Sequence, residues 1–115
     1  METDPILRAL LFDTYGSVLS EKQQLCFDLH YNQDLSLGEI GELEGISRQA
    51  VRDNILRAEK TLLDLEEKIG AVAQQRRADA AADEIFSLLP RLQALGPGAQ
   101  TISEALEKTA QRLKE

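Results

Sequence analysis

The chain has 115 residues, of which 43% are apolar and 29% are charged, and it contains no Trp, two Tyr and three Phe. This length predicts one domain, or one small domain with an extension, with a largely aliphatic core. The net charge of −7 argues against a protein that coats nucleic acid without sequence preference, because that activity needs clustered cations. No run of about 18 apolar residues occurs, and the first residues lack the pattern of a secretory signal, so we expect a cytoplasmic protein that does not bind membranes.

Two helix-start signals occur in the first thirty residues. Asp4 before Pro5 predicts a first helix, because aspartate caps the free amides and proline suits the first turn. Ser20 and Gln23 have the spacing of a capping box, which predicts a second helix that ends at the polar turn 32–34. The expected inward positions are Ile6, Leu7, Leu10, Leu11 and Val18 on the first helix, and Leu25, Cys26, Phe27 and Leu29 on the second.

Residues 35–55 carry the pattern of a helix-turn-helix. Ser36 and Glu39 form a second capping box, which opens a third helix over about residues 37–44. Gly45 allows the turn, Ile46 anchors it, and Ser47 caps a fourth helix that begins at residue 48. The expected inward positions are Leu37, Ile40, Gly41 and Leu43, followed by Ala50, Val51, Ile55 and Ala58. Such a unit lays its second helix in the DNA major groove, and the alternative is a helical hairpin in an ordinary bundle.

The fourth helix is expected to be long and to end at Gly70, with Leu62, Leu65 and Ile69 continuing its apolar face. A fifth helix should cover residues 71–89, where Pro90 kinks or ends it. A final helix should begin near Thr101, after the break at residues 96–98. Its stripe is Ile102, Leu106 and Leu113. The prediction is an all-α fold: a four-helix helix-turn-helix domain over 1–70 and a helical extension over 71–115 that serves as a dimerisation or packing arm.

Positive charge concentrates at the start of the fourth helix. Residues 1–46 carry a net charge of −7, whereas residues 47–60 carry +2. The candidate nucleic-acid-binding residues are Ser47, Arg48, Gln49, Arg52, Asp53 and Arg57. The two arginines that lie one turn apart suit guanine or phosphate, Gln49 suits adenine, and Ser47 or Arg57 suits phosphate. The alternative is that Arg48 and Arg52 are solvated charges that form local salt bridges with Asp53 and Glu59.

No pattern of catalysis, metal binding or cofactor binding is found. Cys26 is the only cysteine and lies in an apolar stretch, which predicts a buried thiol in a reducing compartment rather than a reactive one. His30 has no second His or Cys with which to form a metal site, and a packing role is expected. The acidic pairs at 66–67 and 83–84 have the character of solvated helix faces. We therefore expect neither an enzyme nor a cofactor.

Two resemblances follow from these motifs. Residues 18–58 resemble region four of bacterial sigma factors, through the helix starts near Ser36 and Ser47. Residues 1–70 resemble the YlxM family of small helix-turn-helix DNA-binding proteins linked to the signal recognition particle operon. The motifs that carry the second resemblance are residues 19–24, Tyr31, residues 47–55 and residues 57–60. Arg52 stands where a tyrosine is expected, and the region after Gly70 resembles nothing specifically.

The YlxM resemblance implies a DNA-binding regulator of the signal recognition particle pathway. A second hypothesis from the same resemblance is a factor that binds the particle's GTPase or its RNA rather than DNA. The long fourth helix and the extension also leave apolar side chains to bury, and we expect a homodimer with paired recognition helices. The side chains in question are Leu62, Leu65, Ile69, Ile85, Phe86, Leu88, Leu89 and Leu106.

Overall fold

A computed structural model describes residues 4–115. Over this range the chain forms six α-helices and two short 3-10 turns, without a strand, so the predicted all-α class is confirmed. The helices are α1 (Pro5–Tyr15), α2 (Glu21–Tyr31), α3 (Leu37–Glu44), α4 (Arg48–Ile69), α5 (Ala71–Gln93) and α6 (Gln100–Lys114). The 3-10 turns are Gly16–Val18 and Pro97–Ala99. None of the six helices is long and apolar enough to cross a membrane.

The chain divides into two compact units, the first ending at Gly70 and the second comprising Ala71–Glu115. In the first unit α4 packs against α1, α2 and α3. In the second unit α5 packs against α6. The long helix α4 is therefore the element around which the first unit is built.

The predicted helix starts are confirmed. Asp4 accepts a hydrogen bond from the Leu7 amide at 2.9 Å. Ser20 and Gln23 cap α2 reciprocally, because the hydroxyl accepts from the Gln23 amide at 3.2 Å and the Gln23 side chain accepts from the Ser20 amide at 3.2 Å. These bonds satisfy backbone donors that a helix leaves open in its first turn.

The core of the first unit is aliphatic and aromatic. Cys26, Ile40, Val51 and Ile55 form one buried cluster, which joins α2, α3 and α4. On α2, Phe27 stacks against Phe12 of α1 with ring centroids 4.7 Å apart. The core also contains Leu11, Tyr15, Leu19, Ala58 and Leu62.

Some residues that were predicted to face inward are exposed. Leu43 is 64% exposed because the buried arc of α3 is centred between Ile40 and Gly41, and Leu43 lies roughly 110° around the helix from that centre. The other exposed members of the predicted stripes are Ile6, Val18, Leu25 and Ile69. On α1 only Leu11 and Tyr15, which lie one turn apart, are fully buried, so the buried face is narrower than its apolar composition suggests.

The second unit excludes one of the two alternatives predicted for Pro90 and corrects the buried stripe predicted for α6. Pro90 does not end α5, which continues to Gln93, because proline removes only its own amide and the Pro90 carbonyl still accepts from the Ala94 amide at 3.0 Å. On α6 the buried residues are Ser103 and Ala110. The predicted stripe of Ile102, Leu106 and Leu113 is instead 57%, 38% and 37% exposed. Small side chains allow two helices to approach closely, which is why they take the inward face.

Candidate nucleic-acid interface

The turn between α3 and α4 has the predicted form. Gly45 adopts a left-handed conformation with φ 67°, which glycine reaches without steric cost. The Ile46 amide bonds back to the Gly41 carbonyl at 3.0 Å, and the Ser47 hydroxyl accepts from the Ala50 amide at 3.0 Å. The turn is therefore fixed by hydrogen bonds on both sides, and α4 begins at the predicted residue.

Gly41 lets α3 approach this turn. A Cβ atom at this position would lie 2.7 Å from the carbonyl oxygen of Ile46 and 3.5 Å from the backbone nitrogen of Arg48. The inward position of Gly41 was predicted, but the need for glycine was not, because it depends on a contact with the backbone of the turn. Gly41 thus sets how closely α3 packs against the turn that precedes α4.

Three of the candidate residues come together on one open concave surface. Arg48, Gln49 and Arg52 are exposed and line a depression of about 460 Å³, together with Leu37 of α3. The two guanidinium groups lie on consecutive turns of α4, as expected. This arrangement offers hydrogen-bond donors, an amide and an apolar side chain within one patch, which are the groups that read base edges.

The remaining candidates lie around this depression or away from it. Ser47 is exposed and its hydroxyl oxygen caps α4. Asp53 is half-buried and accepts a hydrogen bond from the Gln49 side-chain amide at 3.0 Å. Arg57 is exposed but lies about half a helical turn around α4 from Arg48, so it is not part of the same patch.

Two acidic residues of α3 have local partners. The Glu39 side chain accepts from the Ser36 amide at 2.9 Å, and the hydrogen bonds with Ser36 lower the pKa of this carboxyl below its usual value. Glu44 pairs with Lys22 of α2 at 3.3 Å. These contacts hold the Glu39 carboxylate at the start of α3 and the Glu44 carboxylate at its end.

A polar cluster lies beneath Arg52. The Tyr31 hydroxyl of α2 donates a hydrogen bond to Glu59 of α4, which is only 2% exposed, and the Arg8 guanidinium of α1 lies 3.8 Å from the centre of the Tyr31 ring. Burial, and then the hydrogen bond to Glu59, raise the pKa of Tyr31 to about 12. These contacts link α1, α2 and α4. Tyr31 and Glu59 also line a cavity of about 200 Å³ with Arg52, His30, Leu37, Ile55 and Leu56.

This cluster corrects the expectation that Glu59 is a surface partner for the arginines. Helical periodicity places Glu59 next to the buried Ala58 and three residues before the buried Leu62, but an acid at such a position is normally read as solvated. Similarly, Glu66 of the acidic pair 66–67 is not a purely solvated residue, because it accepts from the Tyr15 hydroxyl at 2.6 Å. Neither acid could be predicted to be bonded, because its tyrosine partner is far away in the sequence and leaves no pattern near the acid.

His30 and Cys26 have packing roles, as predicted. The His30 Nδ1 atom lies 2.9 Å from the Leu35 carbonyl oxygen and therefore donates to it, since a carbonyl only accepts. The same ring contacts Tyr31 edge-on. Cys26 is fully buried, and burial raises the pKa of its thiol. Within residues 4–115 no three metal-ligating side chains are grouped.

Comparison with known proteins identifies the family. Residues 5–95 match the model of the UPF0122 family, described as "Putative helix-turn-helix protein, YlxM / p13 like". A UPF0122 protein of Desulforamulus reducens is 43% identical over 105 residues, which cover 91% of this chain and 86% of that protein.

Two further relatives carry the same family name. A UPF0122 protein of Symbiobacterium thermophilum is 43% identical, covering 72% of this chain and 78% of the relative. One from Bacillus cereus is 38% identical, covering 85% and 89%. The match to the family model begins in α1 and covers α1 through α5, so it includes the helix-turn-helix and reaches beyond Gly70, where the motifs had indicated no specific resemblance. The chain therefore belongs to the UPF0122 family of YlxM/p13-like helix-turn-helix proteins, which confirms the YlxM resemblance drawn from its motifs.

Proposed function

We propose that this protein is a DNA-binding regulator that reads a duplex sequence by inserting the start of α4 into the major groove. The observation that carries the proposal is the exposed patch of Arg48, Gln49 and Arg52 directly after the helix-turn-helix turn. Arginine pairs with guanine through two hydrogen bonds, and glutamine pairs with adenine in the same way. Leu37 beside them offers an apolar surface for a thymine methyl group.

The start of α4 also suits a phosphate. The first amides of a helix have no partner within the helix, and they point at whatever lies beyond its N-terminus. Ser47 lies at this end with an exposed side chain, and Arg48 follows it. In this proposal these groups anchor the helix to the DNA backbone, while Gln49 and Arg52 reach the base edges. Arg57 lies on the opposite side of α4 and is not part of the proposed contact.

The test compares two double variants that remove the same charge. A preferred duplex is first selected from a random pool with the wild-type protein, and its affinity is then measured by fluorescence anisotropy. R48A/R52A should weaken binding by about 100-fold, since each arginine contact contributes about 1–3 kcal/mol. R76A/R77A, which removes two exposed arginines of α5, should change affinity only slightly. Selection of no duplex by the wild type, or equal losses in the two variants, would overturn the proposal.

The regulatory role that we propose is in the signal recognition particle pathway, and it rests on the YlxM resemblance. A protein that binds the chromosome acts in the cytoplasm, where the particle is also found. The net charge of −7 over residues 1–46 favours a second candidate, in which this acidic part docks on a basic surface of the particle's GTPase or competes with its RNA there. Pull-downs with wild-type, R48A/R52A and D13N/E42Q baits separate the two. DNA lost from R48A/R52A with the particle retained supports DNA reading, and particle lost from D13N/E42Q, which removes two exposed acids, supports docking.

We also propose a homodimer formed through the second unit. Of the apolar residues expected to dimerise, Leu62 and Leu89 are buried within the chain, but Leu88 and Leu106 remain 49% and 38% exposed. They line an apolar groove of about 160 Å³ with Ile85, Leu89 and Leu92. Light scattering at micromolar concentration should give twice the monomer mass, and L88S/L106S should halve it. A wild-type protein that is only monomeric would contradict this proposal.

A further inference from the structure

Asp53 stands out in the candidate interface because it is an acid at a surface that is proposed to meet DNA. It is half-buried, whereas Gln49, one turn earlier on α4, is exposed. The Gln49 Nε2 atom donates to the Asp53 Oδ1 atom at 3.0 Å. The less exposed carboxylate is therefore bound to the more exposed amide one turn earlier, so it can hold the amide in place.

We infer that Asp53 is a positioning residue that holds Gln49 in the orientation that pairs with adenine; this inference rests on the proposed function. An ionised carboxylate only accepts hydrogen bonds, so Asp53 must face the NH₂ group of Gln49 and not its carbonyl oxygen. The pair thus fixes which side of the amide donates and which side accepts. An unsupported glutamine would present both orientations.

The groups that Gln49 keeps available match one base. One N–H is used by Asp53, which leaves the second N–H as a donor and the Oε1 atom as an acceptor. Adenine presents an acceptor, N7, next to a donor, the N6 amino group, in the major groove. Guanine presents two acceptors there, so the Oε1 atom would face the guanine O6 atom. The arrangement therefore selects adenine and disfavours guanine.

The neighbouring arginines make this acid tolerable near a polyanion. Arg48 and Arg52 line the same depression as Gln49, so the patch keeps a positive balance when Asp53 is ionised. The carboxylate still repels phosphate, so its removal should raise affinity for DNA of any sequence while lowering discrimination at one base pair. If Asp53 only stabilised α4, its removal would not raise the affinity for all sequences while lowering discrimination at one base pair.

The experiment uses the full chain and the duplex selected by the wild-type protein. Each A·T pair of that duplex is replaced in turn by G·C, and affinities are measured by competition anisotropy. The wild type and Q49A identify the base pair at which Gln49 acts, where we expect about tenfold discrimination in the wild type and none in Q49A. D53A should lose about two- to fivefold of that discrimination, as expected for one exposed hydrogen bond to a charged group.

Two further variants test whether the acceptor-only carboxylate of Asp53, and not the mere presence of an acid on α4, orients Gln49. D53N can turn either its oxygen or its NH₂ group toward Gln49, so it should lose discrimination as D53A does. D64A removes an acid of α4 outside the patch, where it pairs with Lys60 at 3.0 Å, and should leave discrimination unchanged. If D53A or D53N discriminates as well as the wild type, the inference is wrong while DNA reading stands. If the wild-type protein selects no duplex, the proposed function fails and the inference fails with it.

Discussion

Replacement of Gly41 by alanine tests the claim that a backbone contact positions the recognition helix. The added Cβ atom would lie 2.7 Å from the carbonyl oxygen of Ile46, well inside the contact distance of a carbon and an oxygen. This oxygen belongs to the turn itself, so it cannot rotate away as the end of a flexible side chain would. Relief of the clash requires α3 and the start of α4 to move apart.

The expected change in the free energy of unfolding is the difference between a stabilising and a destabilising contribution. Alanine is favoured over glycine in a helix by about 1 kcal/mol. Added volume at a close-packed site costs about 1–3 kcal/mol, and a contact with backbone belongs in the upper part of that range. We therefore expect Gly41→Ala to lower the free energy of unfolding of the first unit by about 1–2 kcal/mol. It should also weaken DNA binding, because the patch moves relative to the rest of the helix-turn-helix.

Gly38 provides a matched control on the same helix. A Cβ atom there would meet only the Ser36 hydroxyl oxygen, at 3.9 Å, so Gly38→Ala should gain the helix-propensity term alone and stabilise the unit by about 1 kcal/mol. Urea denaturation followed by tyrosine fluorescence reports on the first unit, because the chain has two tyrosines, Tyr15 and Tyr31, and no tryptophan. If Gly41→Ala proves as stable as Gly38→Ala, the close contact does not constrain the turn.

Three further outcomes follow from the buried groups. Tyr31→Phe removes a hydrogen bond to the buried Glu59 and should lower the free energy of unfolding by about 1–3 kcal/mol, measured by urea denaturation; a change within error would contradict this role. Because the pKa of Tyr31 is raised from 10.0 to about 12, its stabilising effect is complete below pH 10 and is lost as the pH rises to 12, so wild-type stability should fall over that window more than that of Tyr31→Phe. Cys26, buried and with a raised pKa, should react with a thiol reagent only after unfolding, and fast labelling of the native protein would contradict its burial.

Local rules predicted the helix boundaries because the interactions that set them span only a few residues. The cap of α4 joins Ser47 to Ala50, and the cap of α3 joins Ser36 to Glu39. The left-handed conformation of Gly70, at φ 69°, likewise depends on its own lack of a side chain. For the same reason Arg48 and Arg52 could be placed on one exposed face from their spacing alone. The spacing of Gln49 and Asp53 also permits their i,i+4 hydrogen bond, but spacing alone does not show whether such a pair binds to each other or to other groups.

By itself, the sequence determined the all-α class, the start of every helix in the first unit, the helix-turn-helix and the family, since all of these depend on short-range spacing and on motifs. Only the tertiary structure decided which apolar residues are buried, as the exposure of Leu43 shows, and which polar residues are not solvated. Glu59 is buried because Tyr31 meets it from another helix, 28 residues earlier in the chain. Likewise Gly41 is required because a turn folds back onto it. Such contacts bring distant segments together, and their energies depend on distances that a residue pattern does not contain.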